Sequence, residues 1–322
     1  MEKDDKDIGA ETVGSDRSVR RTFAIWETDR AIRAIFQVCV GLVLVVAVTL
    51  VLTLVVTAGR FGIAPESMQF PSGSGLSSGP EWAPSLPRPS YGVLPVIWGT
   101  LWVTILAGAI AMPIGLAAAV YQSEYATPAE RAWGETWIAV SHAIPSVVLG
   151  YFALAFLPRS LVMIPSPDRG GILTCGLVLA VMILPTVVRL CAGVLTKVPS
   201  ELREAAIALG ASQDAVIRTV VLPSALLGIA GSFLLALSRV VGEVVITSMI
   251  LGHSPRITWN LWHPATTLGS EVVACFTRQS AGVTIDPYLP FVIGLFIFAA
   301  TFAMQFLATR LLHGFQIRLG SR

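Results

Sequence analysis

Six long apolar runs divide this sequence, and they constrain its fold more than any other feature. They cover residues 34–58, 94–121, 136–157, 171–196, 224–250 and 289–312. A helix rises about 1.5 Å per residue, so about 20 apolar residues cross the roughly 30 Å hydrocarbon core of a bilayer. A backbone inside hydrocarbon must also satisfy its own hydrogen bonds, which a helix does. The sequence therefore predicts an all-α integral membrane protein with about six transmembrane helices.

Composition excludes several other classes of protein. Charged residues make up 13% of the 322 positions and hydrophobic residues 54%, which leaves too little polar surface for a soluble chain of this length. Lys and Arg residues are scattered, without the basic stripe that follows a nucleic-acid backbone. Nucleotide-binding loops, zinc-protease motifs and serine-hydrolase motifs are missing, and the four cysteines lack metal-binding spacing. We therefore expect this chain to hold no catalytic residues, no metal and no cofactor.

The spans and loops predict the organisation of the chain. An N-terminal tail at 1–33, with about its first 22 residues disordered, is followed by a first helix at 34–58, a loop at 59–93, a five-helix core at 94–312 and a C-terminal segment at 313–322. The tail, the loop near Arg131, residues 197–223 and the C-terminal region together contain 14 Lys and Arg residues, against six in the opposite loops. Cytoplasmic segments hold an excess of basic residues. Both termini and residues 197–223 are therefore predicted to be cytoplasmic, with 59–93 and 252–287 on the other side.

Three prolines lie well inside consecutive apolar runs. They are Pro113, Pro145 and Pro185. Each removes a backbone donor and loosens the preceding turn, and a freed carbonyl is tolerated only against protein or water. A kink in each helix is the simpler interpretation, but three breaks in succession favour helices that surround a polar cavity.

An unusually polar segment, residues 199–223, separates two apolar runs. Its sequence predicts two short helices, the first capped by Ser200 and ended by Gly210 in the left-handed conformation. Ser212 is expected to cap the second helix, and Pro223 to close it. A small-residue face on the first helix would let another protein approach closely, although a plain cytoplasmic loop would also explain the polarity.

The same segment carries a long spaced motif. It consists of Glu204, Ala205, Ala206, three residues, Gly210, nine residues, Val220, one residue, Leu222 and Pro223. This spacing resembles the "EAA" motif of permeases in binding-protein-dependent ABC importers, with Val220 where that family usually has Ile. The resemblance implies a type I importer permease fold. It also implies that the segment forms coupling helices in a groove of the ATPase subunit.

Further stretches resemble the permeases of the phosphate importer. They are WGT at 98–100, PIGLAAAVYQSEYA at 113–126, IPSVVLGYF at 144–152, ILPTVVR at 183–189 and SRVVGE at 238–243. Residues 91–100 resemble the PstC-like member more than the PstA-like one. The resemblance implies phosphate as the solute, with molybdate, sulfate or another solute as the alternative. It also implies a second homologous permease, two ATPase subunits that use the ATP, and an extracytoplasmic solute-binding protein.

Three ionisable residues interrupt the apolar runs. Arg239 and Glu243 are four residues apart, so on a continuous helix they would share one face and could form an ion pair. Such a pair either fixes helix packing or lines the translocation path, where the planar donors of Arg suit phosphate oxygens. The phosphate permeases share this R-x-x-G-E pattern, and it is regarded there as critical for transport. Arg189 is assigned to the same path, although its long side chain could instead reach the lipid headgroups.

A membrane-embedded enzyme is the alternative from another class of function. Its titrating groups would be Glu243, His142 and Glu124, but they lie in different segments and no spacing unites them. His142 has no acidic neighbour in sequence, so a hydrogen-bonded packing role is expected for it rather than proton relay. The sequence thus favours a transporter subunit that hydrolyses nothing itself.

Overall fold

The computed structural model describes residues 7–61, 79–86, 89–156, 170–283, 285–318 and 320, with the side chains of 7–31 and 318 outside the description. The helices before residue 200 are α1 (Asp7–Ala58), α2 (Leu94–Val120), α3 (Pro128–Ala143), α4 (Ser146–Phe156) and α5 (Ile172–Leu195). The later helices are α6 (Ser200–Ala208), α7 (Gln213–Val216), α8 (Leu222–Val241), α9 (Val245–Ile250), α10 (Leu268–Ser280) and α11 (Leu289–Arg318). Two π-helical turns, Tyr121–Tyr125 and Ile217–Val221, follow α2 and α7. Residues 1–56 and 57–322 form two separate units.

The predicted number of spans is confirmed. Within the described residues, five helical stretches are long and apolar enough to cross a bilayer, and a bent pair raises the number to six. The five are Ile32–Ala58, Leu94–Tyr125, Ile172–Leu195, Gln213–Val241 and Leu289–Ile317, and the bent pair is Pro128–Ala143 with Ser146–Phe156. The chain is therefore an all-α membrane protein.

The prolines act differently from one another, which corrects the prediction of three helix breaks. Pro113 and Pro185 lie inside the continuous helices α2 and α5, because a single missing donor leaves the neighbouring turns intact. At Pro145 the helix does break, as predicted for the 136–157 span, and α3 and α4 meet at 86°. Ile144 is extended there (ψ 118°), as steric clash with the following proline requires.

The fifth span differs from the predicted range of 224–250. It runs from Gln213 to Val241, so the second short helix of the polar segment continues directly into the membrane instead of ending at Pro223. Pro223 occupies the first turn of α8, where the missing N–H is tolerated after a π-helical turn. At the other end the helix stops at Gly242, and α9 is a separate short element.

The N-terminal region also differs from the prediction. The backbone is helical from Asp7 onward, where a disordered tail was expected to about residue 22. No proline interrupts residues 1–58. Extending an existing helix is far easier than nucleating one, so the apolar span can propagate helix into the preceding residues.

Helix α5 forms the centre of the larger unit. It packs against both α2 and α8, and α11 packs along α8. One buried cluster gathers around Leu179 and Ile246, and a second around Val221 and Phe315. Small residues let α5 lie close to α2, since a Cβ added at Gly176 would be only 2.6 Å from Leu106 Cδ2. Close backbone contact is the usual way to hold helices together where lipid tails are as apolar as the side chains.

The end of the bundle where α2 begins is closed by elements that were not predicted. A short hairpin pairs Trp82 with Tyr91 and Ala83 with Ser90, and packs in one cluster with α10 and the start of α11. Helix α10 begins with a Thr267–Ser270 capping box and carries the buried Glu271, whose Oε1 lies 2.7 Å from Arg278 Nη1. Residues 252–287 therefore contain an ordered helix and not only a loop.

Candidate functional site

The first short helix of the polar segment, α6, presents an exposed surface. Gly210 follows it with a φ of 85°, so the predicted left-handed end is confirmed. Apolar side chains lie on this surface without cover in the described chain, with Leu209 90% and Ile207 57% exposed. The predicted Ser200 cap is wrong, because Pro199 is the N-cap residue and no side chain caps the helix.

The motif residues divide into two groups. Glu204 and Ala205 are exposed on α6, and Ala206 is half-buried against the core. Leu222 and Pro223 lie instead at the start of α8, where Leu222 packs against that core. Only the first group, together with Gly210, therefore lies on the exposed surface formed by α6.

A polar cluster that sequence reasoning missed connects this segment to the end of α2. We call it the Glu124 cluster; it consists of Glu124, Tyr125, Arg203, Gln213 and Asp214. Arg203 Nη2 donates to Glu124 Oε1 at 3.0 Å and to the Leu195 carbonyl at 2.9 Å. Gln213 Nε2 donates to the Glu124 carbonyl at 2.9 Å, and the Tyr125 hydroxyl hydrogen-bonds Asp214. Both short helices are therefore held to the π-helical turn that ends α2.

A second polar group lies between three spans. Arg239, exposed on the last turn of α8, points Nη1 at the Thr186 hydroxyl on α5, 3.5 Å away. The same hydroxyl lies 3.0 Å from His142 Nε2, and His142 Nδ1 lies 2.9 Å from the Ile138 carbonyl. In the neutral imidazole, Nδ1 must carry the proton because a carbonyl only accepts. Thr186 then donates to His142 and accepts from Arg239, so this hydroxyl joins the two side chains.

Glu243 does not join this group. Helix α8 has already ended at Gly242, so Arg239 and Glu243 are no longer on one helical face. Glu243 Oε1 instead accepts from the backbone N–H groups of Val245 and Ile246, each at 3.1 Å, at the start of α9. Across the described residues Arg239 forms no ion pair with Glu243, which corrects the predicted pairing.

Among the described residues, Arg189 is hydrogen-bonded to neither group. It is exposed on α5, one turn beyond Thr186, and lines a cavity of about 510 Å³ between the end of α2, α3 and the end of α5. The structure therefore brings Arg239, Thr186 and His142 together but places Arg189 toward the end of the bundle that carries the polar segment. Thr186 had no sequence signal beyond its position after Pro185.

Comparison with known proteins decides the family. Residues 111–315 match the family described as binding-protein-dependent transport system inner membrane components. The chain belongs to this family. It is a multi-pass inner-membrane subunit of an ATP-driven importer and not itself an enzyme. The importer permease resemblance drawn from the EAA-type motif is confirmed.

Two relatives illustrate the match to this permease. It is 30% identical over 252 residues to the phosphate transport system permease protein PstC of Mesorhizobium japonicum, covering 72% of this chain and 76% of that protein. It is 36% identical over 174 residues to the probable ABC transporter permease protein YqgH of Bacillus subtilis, covering 54% of this chain and 56% of that protein. The matched part thus spans just over half of the Bacillus protein.

Solved structures agree on the fold. An inward-facing structure of the MetNI methionine ABC transporter matches with a TM-score of 0.52 at 22% identity, covering 68% of this chain and 93% of that chain. A second crystal form of the same transporter gives a TM-score of 0.53 at 20% identity, covering 69% and 95%. The permease therefore has the predicted type I importer fold.

Proposed function

We propose that this permease carries inorganic phosphate inward through the group formed by Arg239, Thr186 and His142. The observation that carries the proposal is the exposed guanidinium of Arg239, which makes one long hydrogen bond and no ion pair within the described part of the chain. A planar, permanently charged fork of donors is suited to phosphate oxygens. Relatives named as phosphate permeases support the choice of cargo.

The surroundings of Arg239 favour transient binding. Its contact with Thr186 is 3.5 Å long, so the Arg239 donors are only weakly engaged and remain available to an anion. Glu243 accepts hydrogen bonds from two backbone N–H groups at the start of α9, so it does not form an ion pair that would neutralise the charge of Arg239. A transport site must bind the solute well enough to admit it and weakly enough to release it. Glu243 supports the site indirectly in this proposal, by fixing the turn between α8 and α9.

The exposed face of α6 supports ATPase docking. Leu209 and Ile207 form an apolar patch beside Glu204 and Ala205, and the Glu124 cluster fixes the segment on the bundle. We assign this face to one of two ATPase subunits, which use the ATP while this chain binds no cofactor. A second homologous permease and an extracytoplasmic binding protein complete the assembly, with both termini and residues 199–223 in the cytoplasm.

The proposal is tested by replacing Arg239 with Lys in the assembled complex. Lysine keeps the charge but loses the planar fork, so phosphate uptake into proteoliposomes should fall at unchanged abundance of the complex. Arg310→Lys is the matched control, because Arg310 lies over the Phe306 ring at 4.8 Å, a contact that lysine also makes. Normal uptake by Arg239→Lys contradicts the site. Competition by sulfate or molybdate as strong as by phosphate itself contradicts the cargo.

A further inference from the structure

The cavity lined by Arg189 lies beside the polar segment at residues 199–223 and borders the group around Arg239 at Ile138, but the side chains of Arg239, Thr186 and His142 do not line it. We propose that it is a second anion site, which binds a phosphate group. Its polar lining comes from the π-helical turn after α2, from α3 and from the end of α5. The polar residues are Gln122, Ser123, Arg131, Glu135, Arg189 and Thr196. The inference rests on the proposed function only in its choice of phosphate as the transported solute.

The two arginines differ in how they are held. Arg131 donates through Nε to the Gln122 carbonyl at 3.1 Å and through Nη2 to the Ser123 carbonyl at 3.2 Å. A guanidinium has five N–H donors, so Arg131 is fixed in place with donors to spare. The side chain of Arg189 makes no hydrogen bond or ion pair among the residues that the structure describes. Arg131 is thus held in place by the backbone, and the Arg189 side chain can change its rotamer to bind a ligand.

The charge and size of the cavity suit an anion. Two arginines and Glu135 leave its wall with a positive balance, and Glu135 forms no ion pair within the described residues. A volume of about 510 Å³ falls in the range of about 300–1,000 Å³ usual for small-molecule sites. The carbonyl end of α5 would repel an anion, but Arg203 binds the Leu195 carbonyl there at 2.9 Å and offsets part of that repulsion.

The ligand chemistry is a phosphate oxyanion, and it has two sources. Inorganic phosphate released from the path would reach a cavity at this end of the bundle, and so would the headgroup phosphate of a lipid. Both present oxygens to paired guanidinium groups in the same way. Binding measured in lipid-free detergent tests inorganic phosphate, and binding measured with added phospholipid tests the lipid headgroup.

The experiment uses the complete complex with its ATPase subunits, carrying Arg239→Gln so that the path site is removed. Radiolabelled inorganic phosphate binding is measured in dodecyl maltoside, and retention of added phosphatidylglycerol by native mass spectrometry. Arg189→Gln removes the free guanidinium. Gly193→Leu fills the cavity, since a Cβ at Gly193 has nothing within 4 Å. Lys197→Gln is the control, an exposed cation that does not line the cavity.

Arg189→Gln should weaken the affinity for phosphate or for the lipid by at least about tenfold, the usual loss for one charge-assisted hydrogen bond. Gly193→Leu should weaken the same affinity because its side chain takes the space of the ligand. The control should stay within about twofold, as for an isolated surface charge. Loss of inorganic phosphate alone identifies the solute as the ligand, and loss of lipid alone identifies a headgroup; either supports the site. Unchanged binding of both ligands in both variants overturns it. Failure of the Arg239→Lys uptake test leaves this result intact, because the cavity is measured without that residue.

Discussion

The Arg203–Glu124 contact gives the sharpest prediction for the polar segment at residues 199–223, through the change Arg203→Met. Methionine keeps an apolar stem of similar length but loses the hydrogen bonds to Glu124 and the Leu195 carbonyl. The Arg203 and Glu124 side chains are only 24% and 11% exposed, so this pair lies between a surface ion pair and a buried one. Exposed pairs contribute about 0–1 kcal/mol, and breaking a buried pair costs about 3–5 kcal/mol.

We expect an intermediate cost of about 2 kcal/mol for local opening of α6. Arg203 Nε is buried without a partner in the described chain, and its removal offsets part of the loss. Since 1.4 kcal/mol is a factor of ten, the α6 amides should exchange hydrogen about thirtyfold faster in the variant. The measurement is hydrogen exchange with mass spectrometry on peptides covering Ser200–Ala208 in the assembled complex.

The control is Lys197→Met, which removes an exposed cation just before α6. Glu124→Gln should give a smaller increase, because the amide oxygen still accepts a hydrogen bond from Arg203. Wild-type exchange in Arg203→Met would refute the cluster as a support for α6. Faster exchange spread evenly over all helices would refute it too, since that indicates global destabilisation.

Three further predictions concern other parts of the chain. Gly210→Val should reduce co-purification of the ATPase, measured against membrane abundance, because a β-branched residue is strained at φ 85°; an unchanged yield contradicts the docking role. Burial and the nearby Glu271 raise the pKa of Cys275 to about 12, so this thiol should resist maleimide at neutral pH until the protein is denatured; labelling of the native protein contradicts its burial. A cysteine introduced at the exposed Gln213 should react with an impermeant reagent only from the cytoplasmic side, and reaction from outside intact cells reverses the proposed topology.

Much of the fold follows from the sequence because hydropathy is a local property. The six spans were predicted from the hydropathy of short stretches of the chain. The left-handed end at Gly210 was predicted because glycine adopts a positive φ more readily than other residues. Helix α10 was not predicted although Thr267 and Ser270 form a capping box, because the usual sequence pattern has Glu or Gln three residues after the cap and this one has Ser. The cap signal was therefore present in the sequence but in an uncommon form.

The site was harder to predict because its contacts depend on where helices end and on long-range packing. The predicted Arg239–Glu243 pair assumed one continuous helix, and the chain leaves the helix at Gly242. Arg203 and Glu124 are 79 residues apart in sequence, so no periodicity could bring them together. His142 was assigned a hydrogen-bonded role, and its partners are the Ile138 carbonyl and Thr186.

The correction to the fifth span places the end of the polar segment and Arg239 on one helical run. Gln213, held to the end of α2 through Glu124, begins the same helical run that carries Arg239. At about 1.5 Å per residue the two positions are about 39 Å apart along one rod. A continuous helix can transmit rotation and translation along its length, whereas a short helix closed at Pro223 and followed by a separate span would not. The π-helical turn at Ile217–Val221 is the one irregular point in the rod, and such turns are places where a helix bends. Contacts from α6 to Glu124 and Gln213, and the helical backbone from there onward, therefore form a continuous connection to Arg239, with the turn at 217–221 as its irregular point.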